Sequence, residues 1–185
     1  MSLILKLRGS RAVSAFRLDK LNSRLAPLDP PIRVSSAQYW HFVEVERALG
    51  GREREVLDRL LHYGEAAPHV DGRVLLTVPR FGTISPWSSK ATDIARQCGL
   101  DAVRRIERGV AWFFSAGDPL GVNRREILDV LHDRMTETVL DSPEGADALF
   151  CHHEPKPLAA VEVLLRGSGA LEEANTALGL ALAPD

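Results

Sequence analysis

Arg54-Glu55-Val56-Leu57-Asp58 returns almost letter for letter as Arg125-Glu126-Ile127-Leu128-Asp129, 71 positions further on. The same shift lays Leu3-Ile4-Leu5-Lys6-Leu7 on Val74-Leu75-Leu76-Thr77-Val78, and the aromatic-rich Tyr39 to Val45 on Val110 to Ala116, with no gap required. Self-similarity at one fixed shift marks an internal duplication. Val56 is then the expected equivalent of Ile127, and Leu5 of Leu76.

Each copy reads strand, helix, strand pair, helix. Leu3 to Leu7 is a bounded apolar run of strand length, broken by Gly9-Ser10, after which Leu18, Leu21 and Leu25 mark one helix face that stops before Pro27. Ile32 to Val45 is rich in β-branched and aromatic residues and long enough for one bent strand or a hairpin. Val56, Leu57, Leu60 and Leu61 form the next helix stripe, with Gly64 placed as its C-terminal cap. In the second copy Val74 to Val78 is strand-like. Ala91, Ile94, Ala95 and Cys98 make a stripe stopped by Gly99, and Val103 to Phe114 is again strand-like. Asn123 with Glu126 opens a helix carrying Ile127, Val130, Leu131 and Met135.

The expected fold is α+β: two duplicated strand-helix-strand-strand-helix units, each ferredoxin-like, with helices over one face of an antiparallel sheet and a pseudo-twofold between the copies. The duplicated domain is expected over 1–140, its halves about 1–70 and 71–140. From Asp141-Ser142-Pro143-Glu144-Gly145 the chain turns polar, and Pro155 and Pro157 stiffen it, so 141–185 reads as a linker region. Leu171, Ala174 and Leu178 suggest one last helix there, and the apolar end from Gly179 to Asp185 is expected to be a cut rather than a finish.

Composition narrows the function. Apolar residues make up 45% of the 185 and charged residues 26%, ordinary for a globular chain. Lys plus Arg total 23 against 25 acids, a formal charge of −2, so no general positive field exists to hold nucleic acid. No apolar run approaches the ~20 residues that span a bilayer, and no export signal heads the chain. Cys98 and Cys151 are expected as reduced thiols, which makes the cytoplasm the expected compartment.

Few stretches carry chemistry. No Walker loop occurs, and Gly167-Ser168-Gly169 lacks the third glycine of a dinucleotide fingerprint. Cys151-His152-His153 has no metal-ligand spacing and no orienting acid for a nucleophile, and no G-x-S-x-G elbow is present. The exception is Thr77 to Asp93, TVPRFGTISPWSSKATD. Pro79 ends a strand, Gly82 permits a tight turn, and Ser85 before Pro86 suits an N-cap with proline in the first turn. Trp87, Ser88, Ser89, Lys90, Thr92 and Asp93 follow around that helix start. Free N–H groups and the helix dipole there favour an anion or a partner's carboxylate. The matching stretch in the first copy, Gly9 to Arg17, lacks this composition.

PRFGTISPWSSKATDIARQCGL, accompanied by LRGSRAVSAFR, ERGVAWFF, LHDRMTETVL, LFCHHEPKPL and ANTALGLALA in order, resembles the N-terminal region of the large, single-chain form of phosphoribosylformylglycinamidine synthase, the glutamine-dependent ligase of purine biosynthesis. That family's N-terminal domain resembles a fused pair of the small S subunits of split versions of the enzyme. The resemblance implies a parent enzyme that converts formylglycinamide ribonucleotide, ATP and glutamine to the amidine, ADP, phosphate and glutamate. ATP and magnesium are expected in the full-length enzyme, with no cofactor or metal in these 185 residues. The expected partners are the synthetase and glutaminase domains of the same polypeptide, with no nucleic acid and no membrane. The fragment's expected role is architectural: docking, enclosing ammonia transfer, and presenting the polar end of Gly82, Thr83, Ser85, Pro86, Trp87, Ser88, Ser89, Lys90, Thr92 and Asp93 to the synthetase. No catalytic residue is expected in it, and alone it should be inactive. The competing expectation is a free-standing ferredoxin-like module binding a small ligand.

Overall fold

The computed structural model describes residues 3–67, 72–151, 158 and 160–183. In chain order these form β1 (Leu3–Arg11), α1 (Ala15–Leu25), β2 (Arg33–Val45), α2 (Gly51–Leu61), β3 (Arg73–Pro79), α3 (Pro86–Gln97), β4 (Val103–Ala116), α4 (Arg124–Leu131) and β5 (Glu137–Leu140). A 3-10 helix over Pro143–Phe150 follows, then α5 (Val163–Arg166) and α6 (Ser168–Leu178). The sheet is antiparallel throughout, in the order β1-β2-β4-β3-β5. The fold is therefore the expected α+β with an antiparallel sheet and duplicated units.

The duplication is written in the central ladder. Tyr39 on β2 faces Val110 on β4, the residue 71 positions on, so each is the other's repeat mate and the pseudo-twofold passes between them. Pairs on either side exchange under it: His41↔Arg108 maps onto Ala37↔Trp112. The stretch left open as one bent strand or a hairpin is one bent strand in each half, β2 of 13 residues and β4 of 14. Register shifts near Val34, Ser36 and Val45 absorb the bend, as bulges do.

The copies are offset differently outside that ladder. Leu7 pairs with His41 and Leu75 with Trp112, which are mates, so Leu75 stands in Leu7's place and Leu76 in that of Arg8. Leu5 and Leu76 lie in equivalent strands but not at equivalent positions. The strand also outlasts Gly9-Ser10: it runs to Arg11 through an irregularity after Arg8, held by Gln38 Nε2 donating to the Gly9 carbonyl at 2.8 Å and Arg11 N–H donating to the Glu65 carbonyl at 2.9 Å. Val56 and Ile127 likewise share equivalent helices, but the buried pairs are Leu57 with Leu61 and Ile127 with Leu131. That is a slip of one.

Alternation sorts the sheet into two faces. One carries Leu5, Leu7, Val43, Leu75, Ile106 and Trp112 under α1 to α4, in two clusters: α1 with α4 over Val34, Leu75 and Phe114, and α2 with α3 over Val43, Val45 and Ile106. The other carries Phe42, Leu76, Val78, Ala111 and Phe113 under Ala146 and Leu149 of the 3-10 helix. That helix therefore belongs to the first compact unit, which runs Met1–His152 and so passes the expected edge at 140. The short β5 was not anticipated; Thr138 and Val139 pair with Val78 and Thr77.

Helix ends follow local chemistry. Ser14 and Ser85, 71 apart, cap α1 and α3, and Gly99 turns the chain out of α3 at φ 80. Asn123 stands at the N-cap position of α4 as expected, but its side chain makes no cap hydrogen bond and its Nδ2 donates to the Pro30 carbonyl instead. α2 ends at Leu61, before Gly64. The second unit, His153–Asp185, contains α5 and α6, with Gly179 left-handed after α6. His152, His153, Pro155 and Pro157 lie outside the described residues. No helix among the described residues is long and apolar enough to cross a membrane.

Candidate functional site

The Gly82–Asp93 segment is a turn and helix start pinned from beneath. Pro79 closes β3 and Gly82, at φ 76, reverses the chain. Thr83 ties the turn by donating its hydroxyl to the Arg80 carbonyl at 2.6 Å. Ser85 Oγ accepts from Ser88 N–H at 3.1 Å, the expected cap, with Pro86 in the first turn.

The anion at this helix N-terminus is the chain's own. Ser85 Oγ donates to Glu107 Oε2 at 2.8 Å and Ser85 N–H donates to Glu107 Oε1 at 3.3 Å, and Glu107 is fully buried. The site was expected to favour an external anion or carboxylate, but β4 supplies one internally. Arg105 balances that charge through Nε and Nη2, at 3.1 and 2.6 Å from Glu107 Oε1. It also donates to the carbonyls of Thr83 at 2.7 Å and Leu149 at 3.0 Å, and lies over the Phe150 ring. A buried charge pair is costly unless its remaining donors and acceptors are satisfied, and here they are. One guanidinium thus joins the turn, the sheet and the end of the 3-10 helix.

The segment's residues divide by helix face. Ser88 and Thr92 are buried: Thr92 Oγ1 accepts from Ile106 N–H at 3.0 Å, while Ser88 Oγ has no hydrogen-bond partner. They seat the helix. Gly82, Thr83, Pro86, Ser89, Lys90 and Asp93 are exposed, and so is Ile84, at 63%. Lys90 and Asp93 have no ion pair or hydrogen bond among the described residues.

Trp87 bridges to a polar cluster that sequence reading missed. Its ring lies 5.8 Å from that of His41, and the Arg108 guanidinium carbon is 4.6 Å from the Trp87 centroid and 4.4 Å from that of Tyr39. Arg108 Nη1 donates to Tyr63 Oη at 3.1 Å, and Tyr63 Oη lies 2.7 Å from His41 Nε2. Tyr63 Oη and His41 Nε2 share one hydrogen bond whose direction is set by the imidazole tautomer, and His41 Nδ1 is buried without a hydrogen-bond partner. Burial first, and the neighbouring Arg108 charge second, push the His41 pKa down to about 4. Burial pushes the Tyr63 hydroxyl up, against the pull of Arg108. Gly9 makes room for the imidazole: a Cβ there would lie 2.5 Å from His41 Cε1. These residues come from five separate segments, and only the β2–β4 register, which sets His41 opposite Arg108, could have brought them together on paper.

Cys98 and Cys151 are exposed and free. Among the described residues no group of three His, Cys, Asp or Glu side chains could hold a metal ion.

A family model described as formylglycinamide ribonucleotide amidotransferase N-terminal matches residues 38–150, which span β2 through the 3-10 helix and include both the pinned segment and the Arg108 cluster. The match extends over more than half of the chain, and the duplicated antiparallel fold agrees with the sequence resemblance. The chain belongs to the formylglycinamide ribonucleotide amidotransferase N-terminal family.

Proposed function

We propose that this domain is a docking scaffold within a phosphoribosylformylglycinamidine synthase, holding the Gly82–Asp93 face against the synthetase core and helping to position the glutaminase so that ammonia passes between them without escaping to water. The observation that carries this reading is the two-sided character of α3. Its inner side is fastened by Ser85 to Glu107 and by Thr92 to the Ile106 backbone, with Ser88 also buried, while the side chains of Ile84, Ser89, Lys90 and Asp93 are exposed and make no ion pair or hydrogen bond among the described residues. A rigid helix start with an uncommitted outer face places another domain to a fixed geometry, and geometry is what protects transfer of a reactive intermediate.

The α3 N-terminus does not suit a phosphate of ATP, because the Glu107 carboxylate already occupies it and would repel the anion, and on this reading no step of the ligase reaction is routed through it. The domain's contribution is to bind, orient and exclude water, and the synthetase and glutaminase supply the chemistry.

The test supplies this 185-residue chain in trans to the remainder of the amidotransferase polypeptide and measures association by sedimentation. Association that is lost on Ile84→Asp, with the chain alone inactive in glutaminase, ATPase and amidine-forming assays, is expected. A chain that ignores the remainder and binds a small metabolite by itself would instead make it the free-standing ligand module.

A further inference from the structure

Several arginines in this molecule hold acids. On β4 itself, Arg104 Nε donates to Glu46 Oε1 at 2.9 Å and Arg105 is bound to Glu107. Arg11, Arg47, Arg73 and Arg124 pair with Glu65, Glu53, Asp118 and Asp141. Arg108 is half-buried, as Arg105 and Arg124 are, yet no acid among the described residues reaches it. Ring faces of Tyr39 and Trp87 are turned to its guanidinium, and one N–H is spent on Tyr63 Oη. Tyr63 is committed in turn to His41, which is neutral. Holding a cation half out of water without an anion is unfavourable, and the aromatic contacts recover only part of that cost.

The pseudo-twofold sharpens the contrast. The mate of the His41↔Arg108 pair is Ala37↔Trp112, where both side chains are buried and the only polar atom, Trp112 Nε1, donates to Thr77 Oγ1 at 2.9 Å. One copy of this position is closed with apolar surface and fully satisfied. The other keeps unspent donors along the edge of a planar cation.

We propose that Arg108, with the Tyr63 hydroxyl beside it and Tyr39 and Trp87 flanking it, is a binding site for a carboxylate. A flat carboxylate accepts from two N–H groups in the guanidinium plane. A tetrahedral phosphate would carry oxygens out of that plane toward ring faces that bear negative potential, and a single cation balances a single negative charge. The proposal does not depend on the docking role of the Gly82–Asp93 face.

The experiment uses the whole 185-residue chain and follows the Arg108 side-chain N–H resonance, assigned by its loss in Arg108→Lys, while sodium acetate is titrated at constant ionic strength against sodium chloride. A saturable shift with acetate and none with chloride is expected, weaker with inorganic phosphate. Arg108→Lys, which keeps the charge but not the fork, should weaken acetate binding at least tenfold, read from tryptophan fluorescence as the change that Trp87→Phe abolishes. Tyr63→Phe should weaken it severalfold, and each variant's melting curve reports that it is folded. Absence of saturation, equal response to chloride, or unchanged affinity in Arg108→Lys overturns the site. Repeating the titration on the longer amidotransferase polypeptide separates the sources. An Arg108 resonance already at its acetate-bound position and insensitive to acetate identifies an acidic side chain of another domain as the natural occupant. A resonance that still responds identifies a small carboxylate.

Discussion

The two copies share a backbone plan and divide the chemistry. Ser14 and Ser85 cap corresponding helices, but Ser14 makes only a 3.4 Å contact with Arg17 N–H, whereas Ser85 is seated on the buried Glu107 and through it on Arg105. The mate of Glu107 is Ser36 and that of Trp87 is Phe16, which is 77% exposed. Duplication supplies a symmetric frame cheaply. Polar residues placed in one copy then make one face rigid and specific while the other remains packing.

That comparison can be broken at several points. Glu107→Ala leaves Arg105 uncompensated beneath α3 and should cost about 3 to 5 kcal/mol, against under ~1 kcal/mol for Ser36→Ala at the mate; urea denaturation of both variants decides. The one-residue slip between α2 and α4 predicts that Leu57→Ala and Ile127→Ala each lose about 2 to 5 kcal/mol, with Val56→Ala well below either. Were the 71-residue frame true for side-chain burial, Val56 would match Ile127 instead.

His41 gives the first copy a pH signature. Its folded pKa of about 4 lies below the ordinary 6.5, so the unfolded chain takes up a proton first as pH falls. The stability tied to neutral His41 is present above pH 6.5 and is lost between there and about 4, roughly 3 kcal/mol in all. Glu53 and Asp118, whose neighbouring arginines hold them below the usual carboxylate range, also lose stability in acid, so the diagnostic is the difference from His41→Gln. That difference should shrink as pH drops from 7 to 4, and a constant difference would mean that His41 titrates alike in the folded and the unfolded chain. The smallest contrast is between the caps: Ser85→Ala should cost about 2 kcal/mol and Ser14→Ala about 0.5.

Much of this frame was legible in residue order. Alternation and helix stripes located the strands and helices, and Ser85-Pro86 announced the α3 start. The strand register was not legible, because a gapless shift cannot accommodate the unequal spacing of the copies: the cap Ser14 lies seven positions after Leu7 and the cap Ser85 ten after its structural mate Leu75, which sets β3 three places off against β1. Nor was Glu107. In Val103 to Phe114 its charge looks like one more solvent-facing position of a strand, and only the fold brings Ser85, 22 residues earlier, onto it. The Arg108 cluster was hidden for the same reason, since Tyr39, His41, Tyr63 and Trp87 each look like ordinary core aromatics until the central ladder aligns them.

The central claim is that the outer face of α3 docks another domain whereas its mate on α1 does not. The most direct measurement compares glutamine-dependent turnover in the full-length amidotransferase carrying Lys90→Ala with Asp93→Ala, both exposed and without an ion pair or hydrogen bond among the described residues, against the enzyme carrying Asp19→Ala, the mate of Lys90, with Lys20→Ala, both exposed on α1. The docking account predicts at least a severalfold loss of glutamine-dependent turnover for the α3 pair, with the isolated chain's stability changed by no more than ~0.5 kcal/mol, and full turnover for the folded α1 pair. Equal turnover in the two enzymes, or an α3 pair that unfolds the isolated chain, would contradict it.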